Sequence, residues 1–309
     1  MGMLTPAELQ GPTLSWNVIR DVGEVLEYRF MDNALLATGI VAVMAGIVGW
    51  MMVLRRETFA GHTLSLMAFP GASAAALLGV PAAWGYYAFC GAGVLVIGRG
   101  GRGEHGWGEE SAAIGVFQAG ALALGFLFVT LYGGVLGDLE GLLFGNLLGI
   151  SSRQVLQLAI VAVLALGALA VLARPLLFAS VDPAVARARG VPERGLSVAF
   201  LGLLGLAVAA TSQITGPLLV FALLVMPAAS AQALTARPLA GLALSVALGL
   251  AVGWLGLGVA YFSPYPAGFF ITTIAFAVYV LARTLAAARG RAARAGPVAS
   301  EPAPQGVIA

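Results

Sequence analysis

The distribution of charged side chains restricts the fold of this chain more than any other feature. Three long stretches contain none: Ser111 to Gly137, Gly195 to Ala236 and Pro238 to Ala282. A helix needs about 20 apolar residues to cross the hydrocarbon layer, and a charge at the bilayer centre costs on the order of 2.5–3.5 kcal/mol. The sequence therefore predicts an all-α membrane protein that crosses the bilayer several times. Polar residues inside its apolar stretches become candidates for function.

The composition agrees with this class and argues against several others. The chain has 309 residues, of which 60% are hydrophobic and 10% are charged, whereas about 25% of a soluble domain is charged. The single cysteine, Cys90, makes neither an intrachain disulfide nor a thiolate zinc cluster. No G-x-x-x-x-G-K-[ST] phosphate loop is present, so we do not expect this chain to hydrolyse ATP by itself through that chemistry.

Hydropathy divides the chain into nine apolar segments, or eight if the short second and third segments do not both cross the bilayer. We therefore expect eight to nine transmembrane helices. The nine segments are Met31 to Leu54, Thr63 to Leu78, Ala82 to Ile97, Ala112 to Gly134, Val155 to Phe178, Leu196 to Ala210, Gly216 to Ala231, Leu239 to Phe262 and Ala267 to Leu285.

Arginine positions indicate the orientation, because cytoplasmic loops are enriched in positive charge. The basic tail should be cytoplasmic, and with nine spans four further basic sites lie on that same side. The N-terminus is then outside, whereas eight spans would place it inside. The tail arginines are Arg283, Arg289, Arg291 and Arg294, and the other sites are the Arg237 loop, the Ser180 to Arg194 loop, the Arg99/Arg102 loop and the Arg55/Arg56 turn.

Three regions follow from this pattern. Residues 1–30 form an N-terminal extension, in which Trp16 to Tyr28 has the pattern of an amphipathic helix. Residues 31–287 form the transmembrane domain. Within it, Asp138 to Ile150 is too short to span and suits a re-entrant or interfacial helix. Residues 288–309 form a tail that is first basic and then, with its prolines, expected to be disordered.

The two histidines are candidates for chemistry. His62 stands at the head of the second apolar segment, where a neutral imidazole could bind zinc or a similar ion. It could equally be an interfacial residue that caps a helix or bonds to a carbonyl group. His105 lies in a glycine-rich loop among carboxylates, and there we expect a solvated side chain.

The Ser180 to Arg194 loop is rich in charge for this chain. Asp182 can cap a short helix whose first turn contains Pro183, and Gly190 can end that helix. The loop is either a simple connector or a docking element for a cytoplasmic partner.

The segment that starts at Gly216 and Pro217 and contains Pro227 combines an apolar sequence with helix-breaking residues. Proline removes a backbone donor and kinks or breaks a helix. Broken helices at membrane depth often line substrate pathways, although a kink can also serve packing alone.

Taken in order, five stretches of this sequence resemble the ABC-3 metal permease family, the membrane subunits of ATP-binding-cassette importers for zinc and manganese. The resemblance covers roughly residues 30–285. The matching stretches are Arg55-Arg56 with Phe59 to Gly71, Glu110 to Gly115, Leu143 to Ile150, Asp182 to Gly190, and Gly216 to Ala231.

The resemblance implies a type II fold, like that of the vitamin-B12 importer, in a multi-pass protein of the cytoplasmic (inner) membrane. It implies a homodimer in the lipid bilayer that pairs with a cytoplasmic ABC ATPase subunit and an extracytoplasmic metal-binding protein, with no nucleic acid and no stably bound cofactor. The chain would be a transport subunit and not an enzyme. The residues that would couple it to the ATPase are Asp182, Pro183, Ala186, Arg187 and Gly190.

One departure from the family pattern bears on the cargo. The family has an aspartate where this chain has His62, and a histidine where it has Leu66. A nitrogen ligand suits zinc better than manganese, so zinc is the first expectation and manganese the next. The alternatives are a type II permease for another cargo, such as an iron chelate, and a stand-alone secondary transporter. The second alternative would usually need ionisable residues at membrane depth.

Overall fold

The computed structural model describes residues 23–24, 27–99, 107–133, 145 and 149–294. Every regular secondary-structure element in this part of the chain is a helix. We number these helices in chain order. They are α1 (Arg29–Leu54), α2 (Thr58–Leu78), α3 (Ala82–Arg99), α4 (Trp107–Tyr132), α5 (Ser152–Val181), α6 (Pro183–Ala188), α7 (Glu193–Leu234), α8 (Pro238–Tyr261) and α9 (Ala267–Arg294).

Several sequence predictions lie outside the described residues. These are most of the predicted helix from Trp16 to Tyr28, His105, most of the segment from Asp138 to Ile150, and the tail after Gly296. The basic residues before that tail continue α9, which ends at Arg294.

The expected count of eight to nine spanning helices is not confirmed. In the described part of the chain, six helical stretches are long and apolar enough to cross a membrane: Arg29–Leu54, Ile114–Tyr132, Ser152–Val181, Glu193–Pro217, Pro238–Tyr261 and Ala267–Arg289. The predicted span Gly216 to Ala231 corresponds to the shorter stretch Leu219–Leu234, which belongs to the same long helix as the span before it. The short second and third segments form α2 and α3 but are not among the six.

Helices α1 and α7 form the centre of the bundle. In the most apolar 18 residues of each helix, 67% of the residues are buried in α1 and 61% in Glu193–Pro217. The corresponding share is 11% in Ile114–Tyr132 and 17% in Ala267–Arg289. The peripheral helices α4 and α9 therefore present apolar surface outward, as helices against lipid or protein partners do. The core cluster of buried apolar side chains includes Met44, Phe200 and Leu204.

Small residues allow the central helices to approach closely. Along the crossing of α1 and α8, the Ser245 hydroxyl donates to the Gly46 carbonyl at 2.8 Å, and Gly249 and Gly253 lie against Ala42 and Thr38. Lipid supplies no hydrophobic driving force between helices, so dense contact of this kind and interhelical hydrogen bonds hold the bundle together.

The contact between α1 and α7 is the tightest of these approaches. A Cβ atom at Gly49 would overlap the Leu224 carbonyl, which is backbone and cannot move aside as a side chain could. The helical residue Gly202 provides a contrast, since a Cβ atom there would meet nothing within 4 Å. Alanine substitutions at the two positions therefore distinguish the effect of close packing on stability from the effect of helix propensity.

We expect Gly49→Ala to lower the free energy of unfolding by about 1–3 kcal/mol, the usual cost of overpacking. Gly202→Ala should leave it unchanged or raise it slightly, because alanine favours the helix. The free energy of unfolding of both purified variants is measured in mixed micelles. Equal stability of the two variants would contradict the close approach of α1 and α7.

Candidate functional site

Helix α7 is interrupted at Gly216, deep in the bundle. This 42-residue helix has non-helical dihedral angles at Gly216 (φ 72°, ψ 158°), a region open almost exclusively to glycine. Pro217 follows, and it suits the first position of a new helix because its missing N–H group would have no partner there. Both residues are buried. The interruption lies at the start of the segment that the sequence predicts to be kinked.

Pro227 behaves differently from Pro217. It is buried inside the second half of α7, and the interruption of that helix lies at Gly216 instead. The second proline predicted to disrupt the helix therefore removes a backbone donor without breaking the helix.

Hydroxyl groups gather on the turn before the break. Thr211, Ser212 and Thr215 are all buried. Ser212 donates to the Val208 carbonyl at 2.8 Å, and Thr215 donates to the Thr211 carbonyl at 3.1 Å. Because each of these two hydroxyl protons is used within the helix, the oxygen lone pairs remain available as acceptors.

A residue of the predicted re-entrant segment touches the break. Gly145 has φ 71°, and a Cβ atom there would overlap the Ile214 carbonyl and the Gly216 nitrogen. Its backbone therefore lies directly against the interrupted turn of α7. Irregular backbone at membrane depth is tolerated where it is buried in protein or lines a cavity.

His62 lies next to the second half of α7. It is the fifth residue of α2, one turn further inside the helix than the sequence suggested, and it is half-buried. Its ring meets the edge of the Phe221 ring at a centroid distance of 4.6 Å. The Nδ1 atom is buried and makes no hydrogen bond to the described residues.

Leu66, one turn after His62, is 9% exposed and supplies no ligand. Among the described residues, no three His, Cys, Asp or Glu side chains lie close enough to hold a metal ion together. Within the described part of the chain, His62 therefore has no surrounding set of protein nitrogen, sulfur or carboxylate ligands.

The Ser180 to Arg194 loop contains the short helix that its sequence predicts. The Asp182 carboxylate accepts a hydrogen bond from the Val185 N–H at 3.0 Å, and Pro183 begins α6. Gly190 ends it with φ 77°, and the N–H groups of Gly190 and Val191 return to the Arg187 and Ala186 carbonyls. This is a Schellman ending. The helix is exposed except for Ala186.

Sequence reasoning treated Arg55 as part of a cytoplasmic turn and missed its structural position. The side chains of Arg55 and Glu57 are 5% and 9% exposed and form an ion pair at 2.8 Å. Arg55 Nη2 also donates to Ser197 Oγ at 2.7 Å, and the guanidinium lies 5.2 Å from the Phe200 ring centre. The sequence signal that could have indicated this ion pair is the opposite charge of Glu57, two residues after Arg55 and between two apolar segments.

Comparison with known proteins places the whole membrane part of the chain in one family. A model of the family described as "ABC 3 transport family" matches residues 27–286. The chain is 28% identical to the manganese transport system membrane protein MntC of Halalkalibacterium halodurans over 259 residues, which are 84% of this chain and 88% of that protein. It is 29% identical to a probable iron transport system membrane protein of Haemophilus influenzae, over 84% of this chain and 94% of that protein.

The fold has a solved counterpart. The structure of PsaBC from Streptococcus pneumoniae in complex with Fab superposes with a TM-score of 0.75 at 26% identity, over 86% of this chain and 95% of the matched chain.

The cap of α6 gives a test of the loop. We expect Asp182→Ala to weaken this six-residue helix by about 1 kcal/mol, because the Val185 N–H loses its acceptor. Amide exchange at residues 185–191 should then rise roughly fivefold. Asp182→Asn keeps an acceptor oxygen and is the matched control. Unchanged exchange in Asp182→Ala would mean that the capping bond does not hold α6.

Proposed function

Because this chain belongs to the ABC 3 transport family, we propose that it carries a divalent metal ion across the membrane, with manganese as the first candidate cargo. The chain is a multi-pass membrane permease of a metal ABC transporter, and ATP hydrolysis belongs to a separate subunit. The observation that carries the proposed path is the buried interruption of α7 at Gly216.

The order of the candidate metals differs from the sequence expectation. The nitrogen ligand at His62 favoured zinc, but zinc is not specifically supported by the relatives. The MntC relative is named for manganese and the Haemophilus relative for iron. We therefore place manganese first, keep iron as the second candidate, and treat zinc as the cargo that a ligand role of His62 would favour.

The proposed path runs beside the break in α7. An interrupted helix exposes backbone carbonyl groups that can replace part of the hydration shell of an ion. Oxygen ligands of this kind suit manganese. The hydroxyls of Ser212 and Thr215, whose protons are bound within the helix, add acceptor atoms on the same turn.

We further propose a type II, alternating-access importer of the inner membrane, built as a homodimer. A cytoplasmic ABC ATPase would bind the α6 loop, and an extracytoplasmic metal-binding protein would deliver the ion. The exposed position of α6, at the end of a helix long enough to span, supports the first of these contacts. The outward apolar surface of the peripheral helices is compatible with lipid and with a second copy.

Substitution of His62 tests the cargo. We expect His62→Asp, which restores the oxygen ligand of the family pattern, to raise the ratio of manganese to zinc uptake, because carboxylate oxygen favours the harder ion. His62→Ala should remove whatever preference the imidazole confers. The measurement is uptake of both metals into liposomes that contain the assembled transporter.

Ser73→Ala is the control, since this serine lies on the same helix and donates to the Phe69 carbonyl of its own turn. If the uptake rates and the manganese to zinc ratio are the same in both His62 variants as in the parent, His62 is a structural residue and not a ligand. Uptake of neither metal by the parent, with iron carried, would favour the second cargo.

Substitution at the end of α6 tests the coupling role. We expect Gly190→Trp to abolish metal uptake while the protein still inserts and assembles, since an indole there would obstruct a partner and strain the left-handed turn. Gly79→Trp is a matched control, because Gly79 has φ 67° and is likewise open to solvent or lipid. Metal uptake and protein yield are measured together. Retained uptake in Gly190→Trp would remove this loop as the ATPase contact.

A further inference from the structure

The buried guanidinium of Arg55 lies where three separate parts of the chain meet. It belongs to the turn between α1 and α2. Its Nη2 donates to Ser197 at the start of α7, and its Nη1 reaches Ser180 at the end of α5 at 3.5 Å. Ser180 and Ser197 flank the whole loop that contains α6. One side chain therefore connects both ends of this loop to the α1–α2 turn.

The directions of these hydrogen bonds are determined by their partners. The Ser180 hydroxyl gives its single proton to the Leu176 carbonyl, so its oxygen can only accept from Arg55. Arg55 Nε and Nη2 both donate to Glu57 Oε1, at 3.1 and 2.8 Å. The ion pair thus balances the buried charge and holds the guanidinium plane, while the remaining donors point to the loop.

The turn that carries Arg55 is itself well defined. The N–H groups of Arg56 and Glu57 bond to the Val53 and Met52 carbonyls, and Arg56 has φ 59°. This Schellman ending uses arginine where glycine is usual. Helix α2 starts directly after it, and His62 follows one turn later. A displacement of Arg55 therefore acts on the base of the helix that contains His62.

Helix α6 makes its substantial tertiary contact with α5, and its side chains are exposed except for Ala186. One largely exposed ion pair, between Arg187 of α6 and Glu193 at the start of α7 at 3.4 Å, reaches α7 directly. The other connection of α6 to the central helices runs through the chain on either side of it. Phe200, one turn after Ser197 on α7, is fully buried and stacks near the guanidinium. The Arg55 group is consequently anchored in the core and not at the surface.

We propose that Arg55 is the positioning residue that transmits movement of the α6 loop to the α1–α2 turn, and so joins ATPase-driven motion to the helix that contains His62. This inference rests on the proposed function, because it assumes that a partner moves α6. Arginine is required since its planar fork can bind a carboxylate and two hydroxyls together, whereas lysine offers a single point charge.

The test removes the loop contacts and leaves the ion pair intact. The variant Ser180→Ala with Ser197→Ala deletes both hydroxyls, and Arg55→Lys keeps the charge but not the fork. Ser73→Ala is the matched serine control. Replacing Arg55 by a neutral residue is avoided, because it would also remove the ion pair of the buried Glu57 carboxylate.

Two measurements are made on the full-length chain with Cys90→Ala. The first is the distance distribution between spin labels at Phe59→Cys on α2 and Arg189→Cys beside α6, in nanodiscs without any partner. We expect one narrow distance in the parent and in Ser73→Ala, and a broadened one in the double serine variant and in Arg55→Lys. A distribution of unchanged width in both would overturn the proposal.

The second measurement is the number of manganese ions imported per ATP hydrolysed, in liposomes that contain the complex with its ATPase. We expect this ratio to fall about tenfold in both variants, the order of magnitude expected when the charge-assisted hydrogen bonds of Arg55 to the two serines are weakened or lost. An unchanged ratio despite a broadened distance would also overturn the proposal. If the parent complex imports no metal, the proposed function fails, and the partner-free distance measurement still decides whether Arg55 holds the loop.

Discussion

Every backbone N–H and C=O group at membrane depth needs a partner inside the protein, because lipid offers none. The rest of this structure depends on how that constraint is met around Gly216. The long helix α7 is regular on both sides of the break and has non-helical dihedral angles at Gly216. Pro217 removes one donor, and Gly145 brings a second stretch of backbone against the open turn. A bundle that buries such a site must surround it closely, which explains why α1, packed on α7 through Gly49 and Leu224, is the most buried span.

The second constraint is the charge of Arg55. Burying an ion pair costs solvation, and breaking one by removal of a single partner typically costs about 3–5 kcal/mol. This buried ion pair lies where the α1–α2 turn, the end of α5 and the start of α7 meet. A group in such a position stabilises one relative arrangement of three elements more than it stabilises any one of them. That property is what the proposed coupling of the α6 loop to the α1–α2 turn requires.

Sequence reasoning identified local features correctly and misjudged how they assemble. Asp182, Pro183 and Gly190 predicted a short capped helix, and the structure has it at Pro183–Ala188 with the expected bonds. A kink or break was expected from Pro217 and Pro227, and the structure has the interruption at Gly216, beside Pro217. The count of spans was not confirmed, because α2, α3 and the second half of α7 are not among the six described stretches that are long and apolar enough to cross a membrane. The family resemblance is confirmed by the match over residues 27–286, whereas the preference for zinc, drawn from one residue, is not supported by the named relatives.

The sequence by itself determined that this is a helical membrane protein, where most of its helices lie, where α6 begins and ends, and that prolines disturb the segment after Gly216. Each of these depends on residues close in the chain: hydropathy over a span, a cap three residues away, a proline inside an apolar segment. Only the tertiary structure decided that Arg55 meets Ser180 and Ser197, that His62 lies against Phe221, and that Gly145 covers the break. These contacts join residues that are far apart in sequence, and their partners are set by how the helices cross, which no local pattern encodes.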